Sequence, residues 1–273
     1  MNINPDRVKQ MEEQDKRIEQ KLENIQYRIA VFSGKGGVGK STVAVNLAYA
    51  LLKGRLKVGL LDADITGPNI PQMVGLTGMP EMMDEHQILP QIKAGLRVIS
   101  IAPMIPKDQP VIWRGPLRSG TISQFLADVV WDELDVLVTD LPPGTGDEVL
   151  TVSQKMHPQL AVIVTTPQEV SLLDCRRAVN MAKKLNVPKI AVVENMSGMI
   201  CPHCGETIDF FGKGGGEQMA AELQAVFLGR VPMDIQSREC GDNGTPVVLQ
   251  YPDSVTAEAF MKIGKNVIDL LQQ

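Results

Sequence analysis

Cysteine is scarce in this chain. Cys175, Cys201, Cys204 and Cys240 are the only four in 273 residues. So few thiols, so unevenly spaced, exclude a disulfide framework at this length and leave metal or redox chemistry as their better use. Long apolar runs are also missing, so no segment is suited to span a bilayer. The opening stretch, MNINPDRVKQMEEQDKRIEQKLENIQ, is too charged for the apolar core of a secretory signal. A cytoplasmic protein with no membrane partner is expected. Positive charge is not in excess: the formal net charge of -5 weighs against a nucleic-acid backbone as partner, because neutralising phosphates calls for clustered Lys and Arg. A Gly/Ser-rich linker and internal repeats are lacking too, which argues for one domain.

What is present reads as an ordinary soluble globular protein, with 44% hydrophobic and 22% charged residues. Short β-branched runs alternate with longer helical patterns, the signature of βαβ units in a parallel sheet. The expected strands are RIAVFS, KVGLLDAD, LRVISIA, DVLVTD, LAVIVTT, KIAVVEN and VFLGRVP. Most are apolar throughout, as strands covered on both faces are. Helices are expected over residues 41–52, 117–130, 147–156, 171–185, 217–227 and 254–271. The fold class is therefore α/β, a doubly wound and mostly parallel sheet with helices on both faces. Residues 1–26 form a charged arm in which Val8, Met11, Ile18, Leu22 and Ile25 mark a weak amphipathic helix, lying on the domain or docking a partner. Residues 27–273 form the domain itself.

Gly34 to Ser41, GKGGVGKS, satisfies G-x-x-x-x-G-K-[ST] and lies between a strand and a helix, where a phosphate-binding loop belongs. The glycines let backbone N–H groups turn inward around phosphate oxygens, and the helix beginning near Lys40 aims its positive end at the same anion. The expected nucleotide contacts are Gly34, Lys35, Gly36, Gly37, Val38, Gly39, Lys40, Ser41 and Thr42. Lys40 takes the β- and γ-phosphates, the Ser41 hydroxyl ligates Mg²⁺, and Thr42 meets the α-phosphate. Asp62 and Asp64 close KVGLLDAD, and Asp140 closes DVLVTD before LPPGTGD. All three should emerge at the carboxyl edge of the sheet beside the loop. Asp62 and Asp140 are assigned to the metal environment, Asp64 to the attacking water, and the Gly144 to Gly146 turn to sensing the γ-phosphate.

With its early lysine, GKGGVGKST, followed by DADITGPN and DLPPGTGD, resembles the deviant P-loop ATPases that include MinD/ParA proteins, nitrogenase reductase and the Mrp/ApbC carriers. That resemblance implies ATP as ligand and a homodimer in which Lys35 reaches the phosphates held by the other subunit. Otherwise Lys35 is a solvated lysine or serves its own loop.

The stretch MICPHCGETIDFFGKGGGEQMA follows the strand KIAVVEN, and the inserted metal-binding loop is placed at about residues 196–216. Two thiolates at C-x-x-C spacing bind one metal, and the Pro and Gly of CPHCG favour a tight turn whose amides face the sulfurs. Cys175, expected in a helix, and Cys240, expected in a loop, stand alone. One chain thus supplies half of a Cys₄ site, and two chains about a twofold axis supply four sulfurs for an iron-sulfur cluster or a zinc ion. A structural zinc knuckle, a redox dithiol and His203 as a ligand are the competing readings.

From about Arg28 to the C-terminus, through WRGPLRSGTISQFL, LDVLVTDLPPGTGDEVLT, VVENMSGMICPHCG and GRVPMDIQSRECGDNGTPVV, the chain resembles the Mrp/ApbC (Mrp/Nbp-type) iron-sulfur cluster carriers. The resemblance implies that Cys201 and Cys204 hold a [4Fe-4S] cluster between two subunits and pass it to apo-proteins after loading from donor or scaffold proteins. It also places Asn195 at the adenine, with the VPMD turn near the base. A MinD/ParA-like positioning ATPase is the alternative. It needs a tether, and the amphipathic C-terminal segment lacks a cationic face.

Overall fold

The computed structural model describes residues 5–84, 86–104 and 115–273. The chain opens with α1 (Pro5–Glu23), β1 (Ile25–Ser33), α2 (Lys40–Lys53), β2 (Val58–Asp62) and α3 (Ile70–Val74). Short strands β3 (Met82–Asp84), β4 (Gln87–Ile88), β5 (Gln91–Lys93) and β6 (Leu96–Ile99) lead to α4 (Gly115–Asp128), β7 (Leu134–Asp140), α5 (Asp147–Met156) and β8 (Leu160–Thr165). There follow α6 (Glu169–Lys184), β9 (Lys189–Ile200), β10 (Thr207–Ile208), α7 (Gly215–Glu222), β11 (Val226–Met233), α8 (Ile235–Asn243), α9 (Val247–Gln250) and α10 (Val255–Gln272).

Among the described residues the main sheet has nine strands, in the order β10-β9-β8-β1-β7-β2-β6-β5, with β11 also on β9. Only the β5–β6 and β9–β10 pairings in it are antiparallel. Every residue of β2 and β8 is buried, as in strands roofed on both faces. One roof sets Ile122, Phe125, Val149, Val152, Leu172 and Met219 against the sheet. The other sets Leu47, Ile70, Val248, Phe260, Ile263 and Val267 against it. Each such side chain contributes about 1.5–3 kcal/mol over an exposed one. The apolar stripe of α10 is thereby committed to the core.

The doubly wound architecture agrees with the sequence expectation. Helix α1 lies against α4 and α5, burying Ile18 and Leu22, with ion pairs from Lys155 to Asp15 at 2.5 Å and from Arg17 to Asp128 at 3.4 Å. Ile25, counted on that helix's face, instead opens β1 and is buried there. The helix expected over 217–227 stops at Glu222, because Val226 and Phe227 pair with Ala191 and Val192 of β9. Cys240 is not in a loop. It is a buried residue of α8, while Cys175 is buried in α6 as expected. The segment WRGPLRSGTISQFL enters the structure at Gly115, and its Trp113 and Arg114 lie outside the described residues.

Candidate nucleotide site and cysteine hairpin

β1 runs between β7 and β8, so the loop leaving its carboxyl end sits in the middle of the sheet edge. That loop turns through Gly37 and Gly39, whose φ angles of 81° and 82° are open to glycine at little cost. Gly39 caps α2 without a side chain, which leaves first-turn N–H groups to an incoming anion. Gly34 is required for a different reason. A Cβ there would lie 2.2 Å from the carbonyl carbon of Asp174, so the loop is seated directly on the backbone of α6.

The carboxylates meet the loop at this edge. Lys40 Nζ donates to Asp140 Oδ1 at 2.6 Å and lies 3.8 Å from Asp64 Oδ2, and Ser41 Oγ donates to Asp140 Oδ2 at 2.6 Å. Asp62 accepts from Ser100 Oγ at 2.8 Å and from the Asp64 N–H at 3.2 Å. A hydroxyl beside buried carboxylates is a hard oxygen donor set that suits Mg²⁺, so these residues fit that ion. Gly144, with a φ of 88°, donates its N–H to Ser33 O at 2.9 Å, which brings the LPPGTGD turn against the end of β1.

A cavity of about 780 Å³ opens over these groups, lined by Lys35, Lys40, Ser41, Thr42, Asp64 and Pro143 among others. Lys35 is half-buried and, among the described residues, makes no ion pair; Lys40 is committed to Asp140. Two further cations on the wall went unread in the sequence. Arg118 of α4 pairs with Glu148 at 2.7 Å and donates to Thr66 at 3.0 Å, and Arg238 of α8 also lines the cavity. Both stand in stretches that carry the family resemblance, but neither is assigned a role there; the folding of α4 and α8 brings them to the cavity.

Burial, then the charge of Asp140, pushes the Asp62 carboxyl up to about 8, and burial also raises Asp140 against the pull of Lys40. The folded chain therefore keeps a proton on Asp62 that the unfolded chain releases near the ordinary value of 3.8. Stability from this group is complete below that value and is lost as pH rises toward 8. Thermal unfolding without nucleotide or Mg²⁺ checks this. Wild type should lose several degrees of Tm between pH 5 and 8, at about 2–4 °C per kcal/mol for a chain of this size. Asp62→Asn should flatten that slope, and an unchanged slope refutes the assignment.

Asn195, midway along β9 and just past the end of its pairing with β8, points its Nδ2 at Val38 O in the phosphate loop, 2.8 Å away. The VPMD segment closes β11, and Asp234 caps α8 by accepting from the Gln236 N–H at 3.0 Å. Beyond Asn195, β9 continues to Ile200 and turns back into β10, so CPHCG is the tip of a hairpin. Cys201 donates its N–H to Glu206 O, and Gly205 donates to Cys201 O, each at 2.9 Å. N–H groups of Cys204 and His203, and then the Cys204 thiol, hold the Cys201 thiol below its ordinary range. Of the two sulfurs the sequence expectation set against turn amides, that of Cys201 has them. Cys201 is half-buried and Cys204 exposed, and neither opens a helix as a thioredoxin-type dithiol does. Among the described residues, no group of three or more His, Cys, Asp or Glu is placed to hold a metal within one chain.

A strand–glycine loop–helix with Lys40, Ser41 and Asp140 converging at the carboxyl edge of a parallel sheet defines a P-loop NTPase. Within that class, the ParA family model, described as NUBPL iron-transfer P-loop NTPase, matches residues 24–268, and the chain belongs to that family. It is 50% identical to the iron-sulfur cluster carrier protein of Methanocaldococcus jannaschii, over 99% of this chain and 94% of that one. A mitochondrial iron-sulfur protein of Arabidopsis thaliana, required for NADH dehydrogenase, is 41% identical over 93% of this chain and 82% of its own. Among solved structures, a nucleotide-binding protein from Archaeoglobus fulgidus in complex with ADP is 40% identical. It superimposes with a TM-score of 0.75 over 84% of this chain and 91% of that chain. The cell division ATPase MinD of Pyrococcus furiosus, 23% identical, shares the fold, with a TM-score of 0.67 over 90% of this chain and 99% of its own.

Proposed function

We propose that this protein is an ATP-hydrolysing carrier that assembles a [4Fe-4S] cluster between two copies of itself and delivers it to apo-proteins. One observation carries the reading: a Lys40–Ser41–Asp140 phosphate site and a pair of thiols at a hairpin tip, Cys201 half-buried and Cys204 exposed, occur on one chain, and among the described residues that chain alone offers too few ligands for a cluster. A second copy supplies the missing pair. Exposed Ile200, Ile208 and Phe210 beside the knuckle give the hairpin an apolar collar suited to such a contact. The names of the full-length relatives point the same way.

At the nucleotide, Lys40 would turn from Asp140 to the β- and γ-phosphates, Ser41, Asp140 and an Asp62 that gives up its proton would hold Mg²⁺, and Asp64 would orient the attacking water. Asn195 sits at the adenine. Bound Mg²⁺ would offset phosphate charge. Hydrolysis is slow, since a carrier needs a switch between holding and releasing more than a fast catalyst. The positioning-ATPase alternative needs a membrane or DNA tether, and burial of the α10 stripe weighs against a membrane tether built from that helix.

The direct test is delivery. Protein reconstituted without oxygen is mixed with an apo-enzyme that requires a [4Fe-4S] cluster, in the presence of an iron chelator. Enzyme activity should return, and faster with Mg²⁺-ATP. No recovery above the chelated control removes the carrier reading. Zinc in place of iron in protein purified without oxygen favours the structural-zinc alternative at the same thiols.

A further inference from the structure

The stretch Gly212 to Gly216, GKGGG, leads into the N-terminus of α7 and looks like a second anion nest. Its seat is filled from within the chain. The fully buried Glu194 carboxylate accepts on one oxygen from the Gly216 N–H at 2.6 Å. The other oxygen accepts from the Gly214 N–H at 2.9 Å and Ser197 Oγ at 2.5 Å, with Arg230 Nε 3.4 Å away. The glycines are explained by this seat. Gly214 has a φ of 88°, a Cβ on Gly215 would lie 2.7 Å from Pro167 O, and one on Gly216 would lie 3.0 Å from Glu194 Oε2. A buried carboxylate with this many donors is a firm clamp, and removing it leaves those donors unpaired.

Glu194 and Asn195 are consecutive in β9, so their side chains leave opposite faces of the strand. Asn195 grips the phosphate loop through Val38 O, and a Cβ on Gly39 would meet its Nδ2 at 2.2 Å. Glu194 grips the glycine loop that follows the cysteine hairpin and carries the Phe210–Phe211 edge-on pair. Just beyond, β9 becomes irregular. Met196 and Gly198 take φ angles of 56° and 76°, and the register against β11 shifts between Val231 and Met233 before the strand reaches Cys201. One dipeptide thus touches the nucleotide loop on one side and the base of the cysteine hairpin on the other.

We infer that Glu194 is a positioning residue that transmits nucleotide occupancy from the phosphate loop to the cysteine hairpin, through Asn195 on one face of β9 and the Gly214–Gly216 clamp on the other. The purpose of this coupling rests on the carrier reading. Its test does not, because metal-free protein suffices. Hydrogen exchange over residues 196–216 and the alkylation rate of Cys201 and Cys204 are measured without nucleotide, with Mg²⁺-ADP and with a non-hydrolysable Mg²⁺-ATP analogue. In wild type, nucleotide should change both readouts by about fivefold or more, the lower end of ordinary coupling between sites. Glu194→Gln keeps the side chain's shape but sets an NH₂ against the clamp's donors. It should bind nucleotide as wild type does, while its hairpin no longer responds.

A wild-type hairpin indifferent to nucleotide, or a Glu194→Gln chain with the full response, overturns the inference. Should Glu194→Gln fail to fold, Ser197→Ala, which removes one donor from the clamp, is judged by the same criteria. Iron and sulfide analysis of the same wild-type preparation decides the carrier reading separately.

Discussion

Replacing Cys201 and Cys204 together by Ala should take anaerobically reconstituted protein from one [4Fe-4S] cluster per two chains to background iron and sulfide, while nucleotide binding persists. The thiols lie at the tip of the β9–β10 hairpin, one half-buried and the other exposed, and the fold asks little of them. Surface substitutions of this kind usually change stability by no more than about 0.5 kcal/mol. Lost iron therefore reports lost ligands and not lost structure. Cys175 and Cys240 serve as internal controls: both are buried in helices, and burial raises both thiols, Cys175 to about 12. Neither favours the thiolate that a cluster requires. Iron and sulfide assays with native mass measurement decide the matter. Full cluster content in the double variant would place the cargo elsewhere, and full content in a stable monomer would remove the shared site.

The legibility of this chain in its sequence follows from the range of the interactions. Strands such as DVLVTD and LAVIVTT are covered on both faces, so their burial is written as uninterrupted apolar residues, and β7 and β8 appear where those runs stand. The GKGGVGKS loop is equally local: its glycine geometry and helix start depend on neighbours in sequence, and Asp140 closes the adjacent strand beside that loop, where it accepts from Lys40 and Ser41.

Elements stabilised from a distance were less visible. Helix α8, IQSRECGDN, carries little periodic apolar character and a glycine. It stands because Asp234 caps its start, Gly244 with a φ of 72° closes its end, and Gly75 and Gly244 bring it close to α3. The Asp234 cap was the available signal. Arg118 and Glu194 were invisible for the same reason: Thr66 and Glu148 are far from Arg118 in the chain, and apart from nearby Ser197 the donors to Glu194 come from the Gly214–Gly216 loop. Glu194 in particular reads as one more charged residue after an apolar run, yet it is fully buried beneath three donors.

Lys35→Ala should lower the ATP turnover number by about 10³-fold or more while nucleotide affinity changes little, the loss expected when a cation supplied by a second subunit is removed. The two lysines of the loop have different surroundings. Lys40 is buried and ion-paired within its own chain, whereas Lys35 stands half-exposed on the cavity wall and, among the described residues, without an ion pair. A lysine so placed is available to a neighbour, where its charge would offset the negative charge that develops on the transferring phosphoryl group. Mixing distinguishes this from service within one chain. Lys40→Ala protein has a defective phosphate site but an intact Lys35, and Lys35→Ala protein has the reverse. Each alone should be nearly inactive, and a mixture should regain activity as heterodimers form with one complete site. If Lys35 acts on its own loop, every chain in the mixture is defective and nothing returns. A mixture no more active than its components, in a sample shown by native mass measurement to contain heterodimers, refutes the trans assignment.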